Sequence, residues 1–376
     1  MYLSSVMGSC RRRRKRKEVS QSKAAHCLVC GRKGAGLSRA IGVCAACLRQ
    51  GLPAARSRAQ AIHAESRAEF GLPVEPPRHP GGIPCPLCAN ECLIGEGERG
   101  YCGLRTVRQG RLVHLAGTPQ RGLLHWYRDP LPTNCVADWV CEGSKHPGHH
   151  NLAVFYASCT ADCLFCQNWH FRQLSPATSA TLSAGELASA ANSRTFCVCF
   201  FGGDPATQMP HALAATKRLA ARGVRICWET NGMMHPKLLD AAVQYSLETG
   251  GCIKFDLKAF DVELHLALTG VPNRRTLDNF ARAARRYAER PEQPLVVAST
   301  LLVPGYVDAE QVSKVARYIA ALNPQIPYAL LAFAPNFYLS DLPCTSARQA
   351  EVAEAAARVA GLVNVRIGNR QLLGWG

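Results

Sequence analysis

The sequence predicts an α/β protein whose main part is a partial, open (β/α)6 barrel, preceded by small cysteine-rich metal-binding segments. Beyond residue 150, six apolar segments of strand length alternate with helical stretches. Their nearly continuous apolar character is typical of strands buried on both faces of a parallel sheet. Six strand–helix units of about 30 to 40 residues fit an open barrel, in which functional side chains follow the carboxyl ends of the strands. We expect strands at residues 152–157, 196–201, 224–229, 252–257, 295–302 and 328–333.

The stretches between these strands contain helix boundaries. Ser183 with Glu186, and Ser346 with Gln349, have the spacing of a capping box, in which side chains satisfy free backbone N–H groups at a helix start. Gly361 falls where a helix should stop. Helices are therefore expected to connect the strands, as a parallel sheet requires.

Composition restricts the class of protein. Of the 376 residues, 47% are hydrophobic, which is enough for a sizeable core. No apolar run of about 18 residues is present, so we expect no membrane span, and the N-terminus lacks the pattern of a secretory signal. We therefore expect a cytoplasmic protein, in which the 19 cysteines are metal ligands and buried thiols and not disulfides.

Positive charge is concentrated near the N-terminus. The net charge is +17, and residues 1–70 hold 15 Lys and Arg against three Glu, which gives +12 for this part. Residues 1–25, with the basic run 11–17, are interpreted as a disordered basic arm. The alternative is an arm that binds a nucleic acid or an acidic partner.

Two matched cysteine pairs follow the arm. Cys27 and Cys30, then Cys44 and Cys47, have the ligand spacing of a zinc ribbon. Residues 26–70 are too few to bury much core, so we expect a structural zinc that folds this segment. Pro and Gly mark residues 71–84 as a linker, and removal of residues 1–70 is accordingly expected to leave the later metal sites intact.

A second cysteine set opens the lead-in segment 85–150. Cys85, Cys88, Cys92 and Cys102 can enclose one metal site completely. That site is either zinc or a second 4Fe-4S cluster, and the spacing alone does not choose between them.

The remaining thiols are interpreted as small buried residues, since free cysteine behaves as a small hydrophobe. Cys135 and Cys141 form a loose pair to which we assign no role. The others in or near apolar segments are Cys197, Cys199, Cys227, Cys252 and Cys344.

Three cysteines follow the first barrel strand. Cys159, Cys163 and Cys166 form a C-x3-C-x2-C triplet, which can hold an iron–sulfur cluster while leaving one iron without a protein ligand. This spacing resembles the signature of the radical S-adenosylmethionine (SAM) superfamily. The resemblance implies a 4Fe-4S cluster whose open iron takes SAM, and a 5′-deoxyadenosyl radical released when the reduced cluster splits SAM. It also implies that residues 151–376 form a partial barrel of the radical SAM type.

A glycine-rich element follows the second strand. Gly202, Gly203 and Asp204 resemble the Gly-Gly-Glu-Pro element of radical SAM enzymes, with Asp in place of the commoner Glu. In those enzymes the backbone and the acidic side chain hold the ammonium group of the cofactor. Alone, Gly-Gly-Asp-Pro would be interpreted as an ordinary turn. Its position one strand–helix unit after the triplet is what supports a role in cofactor binding.

Polar residues also end the third and fourth strands. Glu229 and Asn231 end the third, and Asp256 and Lys258 end the fourth. Both segments resemble those of the pyruvate formate-lyase activating enzymes and their relatives. That resemblance implies that Glu229 faces the cofactor amino group and Lys258 its carboxylate, with Asn231 and Asp256 as further polar contacts. Without the other motifs, the same residues would be interpreted as a solvated ion pair and a turn.

Two further residues are candidate cofactor contacts by resemblance. Phe165 precedes the last triplet cysteine, where the superfamily usually places an aromatic residue near adenine, and a core-filling Phe is the alternative. Asn336 lies about where activating enzymes can present a histidine. This departure and the zinc-ribbon prefix distinguish the chain from simple activating enzymes.

The resulting hypothesis is a radical SAM enzyme that abstracts a hydrogen atom from its substrate, in the manner of the activases of glycyl-radical enzymes. Such an enzyme needs an electron donor such as flavodoxin or ferredoxin. The substrate stays open between a protein, a nucleic acid and a small molecule. The alternative is a zinc and iron–sulfur protein that binds nucleic acid or senses redox state, which would have no need of a pocket for a zwitterion.

Overall fold

The computed structural model of the protein describes residues 25–34, 36–133 and 135–374. The predicted basic arm, apart from Ala25, lies outside the described residues. Two small antiparallel strand pairs come first. They are β1 (Ile83–Pro84) with β2 (Leu93–Ile94) and β3 (Arg105–Arg108) with β4 (Arg111–His114).

One eight-stranded sheet forms the centre of the protein. Its strands in chain order are β5 (Leu124–Pro130), β6 (His150–Tyr156), β7 (Thr195–Gly202), β8 (Arg225–Thr230), β9 (Ile253–Asp256), β10 (Val296–Leu302), β11 (Tyr328–Ala332) and β12 (Val365–Gly368). Their order in the sheet follows the chain, from β5 at one edge to β12 at the other. Strands β6 to β12 are parallel, and β5 pairs antiparallel with β6.

The predicted fold class is confirmed, and each of the six predicted strands overlaps one of β6 to β11. The sheet has one further strand at each edge. Strand β5 was not predicted because it contains His, Arg and Asp, and only Leu124 within it is buried. Strand β12 has four residues, too few to show a periodic pattern.

Helices connect the parallel strands. The α-helices of the described residues are α1 (Ala45–Arg49), α2 (Pro53–Glu69), α3 (Ala184–Ser189), α4 (Met209–Ala220), α5 (Pro236–Thr249), α6 (Val262–Thr269), α7 (Arg274–Ala284), α8 (Ala309–Leu322) and α9 (Ala347–Val359). Both hydrogen bonds of the predicted capping box of Ser183 and Glu186 are present at the start of α3. No helix in the described ranges combines the length and the apolar character needed to cross a membrane.

The two faces of the sheet differ in character. On the outer face, Phe200 and Trp228 are fully buried, stack with ring centroids 4.6 Å apart and share the main apolar core with the helices. Side chains alternate along a strand, so Cys227 and Glu229, the neighbours of Trp228, point to the opposite side. We call this side the inner face. Register pairs Glu229 with Lys254 there, so the inner face carries thiols and charges.

The N-terminal segment packs against the barrel and does not stand apart from it. Ile41, Val43 and Ile62 share a second apolar core with Phe165 and Leu268. Each such buried side chain contributes roughly 1.5 to 3 kcal/mol. The segments 26–70 and 151–376, which the sequence suggested were separable, therefore have a common core.

Candidate metal and cofactor site

The three cysteines of the triplet lie in a loop that begins where β6 ends. Ser158 enters the loop with a left-handed backbone, φ 94°. The loop is held by local bonds, since Ala161 N donates to Cys159 Sγ at 3.4 Å and Cys166 N donates to Cys163 O at 3.1 Å. We call residues 159–166 the cysteine loop.

The thiols of the cysteine loop are close enough to affect one another. Burial raises the pKa of Cys163 to about 12, the Lys258 ammonium opposes this rise, and the Cys166 thiol adds to it. Burial also raises the pKa of the Cys159 thiol, and the Cys163 and Cys166 thiols add to this rise. The iron of a cluster would deprotonate thiols that coordinate it, so the three cysteines are suited to act together as thiolate ligands.

Asp162, inside the cysteine loop, anchors it. Its fully buried carboxylate contacts His63 Nδ1 at 2.9 Å and accepts hydrogen bonds from Ser66 Oγ at 3.2 Å and Arg172 Nη2 at 2.9 Å. Burial alone would raise the pKa of Asp162, but the His63 hydrogen bond and the Arg172 charge hold it below its usual range. Two of these partners come from α2, so that helix supports the loop.

Two buried donors near the loop lack a protein partner. Arg172 Nη1 and Gln167 Nε2 have no hydrogen-bond acceptor among the described residues. Burial opposes the charge of Arg172, yet the Cys166 thiol and Asp162 raise its pKa overall. Unpartnered buried donors are costly, so their presence beside three thiols fits an anionic cluster or a carboxylate bound here.

The predicted glycines bring the end of β7 against the cysteine loop. Gly203 N donates to Tyr156 O at 2.8 Å, and a Cβ atom at Gly203 would lie 2.0 Å from Ser158 O. Gly202 has φ 109°, where a side chain would be strained. A side chain at either position would push the loop away from the sheet.

The Asp204 carboxylate joins β7 to β8. It accepts hydrogen bonds from Asn231 N at 2.7 Å, Ala206 N at 2.8 Å and Thr230 Oγ1 at 3.0 Å. Asp204 is 2% exposed, and burial raises its pKa to about 6. These protein donors occupy much of its hydrogen-bonding capacity, so its contact with a cofactor ammonium stays a prediction.

Asn231 lies beside the cysteine loop. Its Nδ2 donates to Thr160 Oγ1 at 2.8 Å and lies 3.6 Å from Cys159 Sγ. An N–H that points at a cluster ligand tunes the charge on that sulfur. Asn231 therefore contacts the cysteine loop next to the Cys159 thiol.

Glu229 and Lys258, at the strand ends, each pair with another residue and not with each other. Lys258 Nζ lies 2.8 Å from Asp256 Oδ2, and Glu229 Oε2 lies 3.7 Å from Lys254 Nζ. The Glu229 side chain is 30% exposed, so its carboxylate can still be reached by a ligand. Both signs of charge therefore stand at the same edge of the inner face.

Phe165 and Lys258 come together from different parts of the chain. Lys258 Nζ lies 5.7 Å from the centroid of the Phe165 ring, and Phe165 is 5% exposed. The ring also belongs to the second apolar core. Both the adenine contact and the core-filling alternative stay compatible with this placement.

Asn336 begins a 3₁₀ turn beside the site. Its Oδ1 accepts from Phe337 N at 2.8 Å. The Phe337 ring stacks on Trp169 with centroids 5.5 Å apart and lies 4.9 Å from the Arg172 guanidinium carbon. Sequence reasoning missed this aromatic pair, which borders the cysteine loop through Arg172.

The Cys27 group has the geometry expected for a single metal ion. All four sulfur atoms of Cys27, Cys30, Cys44 and Cys47 lie within 4.8 Å of one another. Cys27 Sγ is 3.9 Å from Cys47 Sγ, and Cys30 Sγ is 3.7 Å from Cys44 Sγ. Tetrahedral thiolate zinc has sulfurs roughly 3.8 Å apart, because each Zn–S bond is about 2.3 Å. The four residues can therefore bind a metal.

The Cys85 group is more widely spaced. Burial raises the pKa of Cys92 to about 11, and the nearby Cys102 and Cys85 thiols add to the rise, so these thiols are neighbours. In the described ranges, however, no three of the four sulfurs lie within 4.8 Å of one another. Ser158 Oγ donates to Cys102 O at 2.7 Å, so this group adjoins the cysteine loop.

Besides the aromatic pair, three charged residues of the site were not predicted: Asp162, Arg172 and Lys254. Asp162 could have been noticed as a charged residue between two ligand cysteines. Lys254 could have been noticed as a cation inside a buried parallel strand, where charges are rare. Arg172 gave no comparable signal.

Comparisons with known proteins agree with this geometry. Residues 153–319 match the family model described as the Radical SAM superfamily. The isethionate sulfite-lyase activating enzyme of Desulfovibrio desulfuricans is 32% identical over 133 residues, which is 35% of this chain and 40% of that enzyme. The pyruvate formate-lyase-activating enzyme of Staphylococcus aureus is 26% identical over 194 residues, 48% of this chain and 73% of that enzyme.

A crystal structure of a domain of pyruvate-formate lyase-activating enzyme from Bacteroides vulgatus is 22% identical, with a TM-score of 0.38. It covers 46% of this chain and 99% of that domain. The match to the isethionate enzyme spans less than half of that enzyme's own length. Residues 153–319, which contain the cysteine loop at the end of β6, are therefore identified as a radical SAM domain.

Proposed function

We propose that the chain is a radical SAM enzyme in which Cys159, Cys163 and Cys166 hold a 4Fe-4S cluster and SAM binds beside it. The observation that carries this proposal is the meeting of three thiols, one buried and two half-buried, with Lys258 and the unpartnered Arg172 donor at the strand ends. When bound, the reduced cluster and SAM supply a 5′-deoxyadenosyl radical, which takes a hydrogen atom from the substrate.

The residues around the loop have distinct roles in this proposal. Lys258 binds the cofactor carboxylate, since its ammonium lies beside Phe165 and the thiols. The accessible Glu229 carboxylate and the backbone at Gly202 and Gly203 receive the cofactor amino group. Charge-assisted hydrogen bonds of this kind contribute about 1.5 to 3 kcal/mol each.

Other side chains position these groups. Asp204 holds the end of β8 against β7, and Asn231 fixes the cysteine loop through Thr160. Asp256, bonded to Ser299 Oγ at 2.7 Å, orients Lys258. Phe165 packs on the adenine.

The proposed substrate is a protein that carries a glycyl-radical site. This rests on the resemblance to activases of glycyl-radical enzymes and on two relatives named as activating enzymes, of isethionate sulfite-lyase and of pyruvate formate-lyase. A flavodoxin or ferredoxin is the proposed electron donor.

We also assign metals to the two N-terminal cysteine groups. The close sulfur spacing favours zinc in the Cys27 group. The wider spacing of Cys85, Cys88, Cys92 and Cys102 favours a second 4Fe-4S cluster, because a polynuclear centre separates its ligands further than one ion does.

Anaerobic reconstitution with iron and sulfide, followed by measurement of 5′-deoxyadenosine, tests the proposal. The wild-type chain should form it from SAM only when a reductant is added. A Cys159→Ala/Cys163→Ala/Cys166→Ala variant should form none and should lose about four irons per chain. As the matched control, Val359→Ala, at an exposed position of α9, should keep both the iron and the reaction. Undiminished 5′-deoxyadenosine from the triple variant would refute the assignment. A glycyl radical signal from an added partner enzyme would identify the substrate class.

A further inference from the structure

The inner face carries a group of thiols that the radical site does not use. Its members are Cys135, Cys141, Cys197, Cys199, Cys227 and Cys252, and each is buried or half-buried. The sequence suggested small core residues. They do form a small apolar cluster with Ala137 and Val297, but it is separate from the main apolar core, and Lys254 lies beside it.

Three adjacent strands bring the thiols together. Cys199 and Cys227 are directly paired between β7 and β8, and Cys252 O accepts from Trp228 N at 2.9 Å at the start of β9. The Cys197 and Cys252 thiols lie close enough to the Cys227 thiol to interact with it. Cys227 is therefore the centre of a row of thiols across the sheet.

The segment between β5 and β6 covers this row. Four thiols, those of Cys141, Cys197, Cys227 and Cys252, line both of two adjoining clefts under that segment. Gly143 N donates to Cys141 Sγ at 3.3 Å. The same bond, from residue i+2 to a cysteine sulfur, holds Cys159 in the cysteine loop. Backbone N–H groups aimed at sulfur favour a thiolate ligand.

Cations surround the four thiols. Arg225 and Arg290 line one cleft and Lys254 the other, while Glu142 is the acidic residue on the first. Lys254 is 1% exposed, and its Nζ lies 3.0 Å from both Cys135 Sγ and Cys199 Sγ. Buried cations are costly unless negative charge compensates them. The Glu229 carboxylate, 3.7 Å from Lys254 Nζ, supplies one such charge, and metal-bound thiolates would supply more.

The spacing favours a polynuclear centre over a single ion. Strands β7 and β9 are two strand spacings apart, roughly 9.5 Å between backbones. In the described part of the chain, no three sulfurs of this group lie within 4.8 Å of one another, unlike those of the Cys27 group. Among the described residues, the three sulfurs of the cysteine loop likewise do not all lie within 4.8 Å of one another.

We propose that Cys141, Cys197, Cys227 and Cys252 bind an iron–sulfur cluster on the inner face, separate from the cluster of the cysteine loop. Cys135 and Cys199 hold Lys254 next to it as the neighbouring cation. Four thiolates close the coordination shell, so this cluster has no open iron for SAM. Cys227 and Glu229 are two residues apart on one strand, about 7 Å. The cluster therefore borders the space that a substrate would occupy.

Iron and sulfide content of the full chain after anaerobic reconstitution tests this site. Cys227→Ala/Cys252→Ala should lose about two to four irons per chain, according to the cluster type, together with one electron paramagnetic resonance signal of the reduced protein. Formation of 5′-deoxyadenosine should continue, because the cysteine loop is unchanged. Val297→Ala, in one of the same clefts and without a ligand atom, should keep all the iron. Cys135→Ala should keep it too.

Other outcomes would overturn the proposal. Wild-type iron content in the folded double variant would remove the site, and loss of one zinc in place of iron would refute the cluster. Iron loss in Cys135→Ala would refute the choice of ligands. If the double variant does not fold, Cys227→Ser, which preserves side-chain volume, takes its place, and its iron content is measured in the same way. Loss of 5′-deoxyadenosine with unchanged iron would likewise remove the site, and would show that the double variant disturbs the radical site.

Discussion

His63 Nδ1 lies 2.9 Å from Asp162 Oδ2, a contact that joins α2 to the middle of the cysteine loop. His63 is 6% exposed and Asp162 is fully buried, so water does not compete for this bond. His63 also contacts Ala267 O at 3.1 Å, in α6. The helix that follows the proposed zinc segment thus positions the loop that carries the radical-site ligands.

His63→Ala should weaken the iron site of the cysteine loop. It removes one partner of a buried carboxylate, which typically costs about 1 to 3 kcal/mol. We expect a lower thermal midpoint and faster loss of iron to a chelator, with zinc retained. Gln60→Ala, exposed on the same helix, is the matched control and should behave as wild type. Equal chelation rates for both variants would show that α2 does not support the loop.

The same relationship changes the expectation for truncation. The sequence suggested that residues 1–70 could be removed without effect on the later metal sites. Ile62 of α2 shares an apolar core with Phe165, and Ser66 Oγ bonds to Asp162. A chain that starts at residue 71 should therefore lose iron from the cysteine loop. If the truncated chain retained this iron and formed 5′-deoxyadenosine at the wild-type rate, the shared core would be dispensable.

Lys258→Ala should weaken SAM binding without removing the cluster. Lysine is not an iron ligand, and loss of one charge-assisted bond of about 1.5 to 3 kcal/mol corresponds to roughly 10- to 100-fold weaker affinity. We expect this fall in a binding titration, with an unchanged iron content. Lys237→Ala, at an exposed position on α5, should bind SAM normally. Wild-type affinity in Lys258→Ala would mean that another residue binds the SAM carboxylate, with Arg172 as the next candidate.

Gly203→Ala should disrupt the cysteine loop by direct collision. The added Cβ atom would lie 2.0 Å from Ser158 O, and a backbone atom cannot rotate away as a flexible side chain can. We expect a folded chain that reconstitutes with less iron and loses 5′-deoxyadenosine formation. Gly34→Ala, with open space around the new atom, should leave both unchanged. Full activity in Gly203→Ala would mean that the loop can move outward and still hold the cluster.

The sequence predicted those parts of the protein that local patterns encode. Strands β6 to β11 were found because each is a continuous apolar run, and the Cys27 group because its ligands are close in sequence. Contacts such as His63 with Asp162 join residues 99 positions apart, and no local periodicity reports them. Continuous apolar strands also hide which face a residue occupies, so the sequence could assign Cys227 to a core but could not place it in the cluster on the inner face.

Asp204 should make stability depend on pH in a defined direction. Burial raises its pKa from 3.8 to about 6 in the folded state. The folded chain therefore binds this proton more tightly, so its contribution to stability is complete below about pH 4 and is lost as pH rises through about 6. The full change is about 3 kcal/mol. Asp204→Asn cannot titrate, so the thermal midpoint of wild type minus that of the variant should decrease between pH 4.5 and 7. Comparison at each pH cancels the effects of other groups and of cluster loss in acid. A constant or increasing difference would mean that the hydrogen bonds from Asn231, Ala206 and Thr230 keep the carboxylate ionised in spite of its burial.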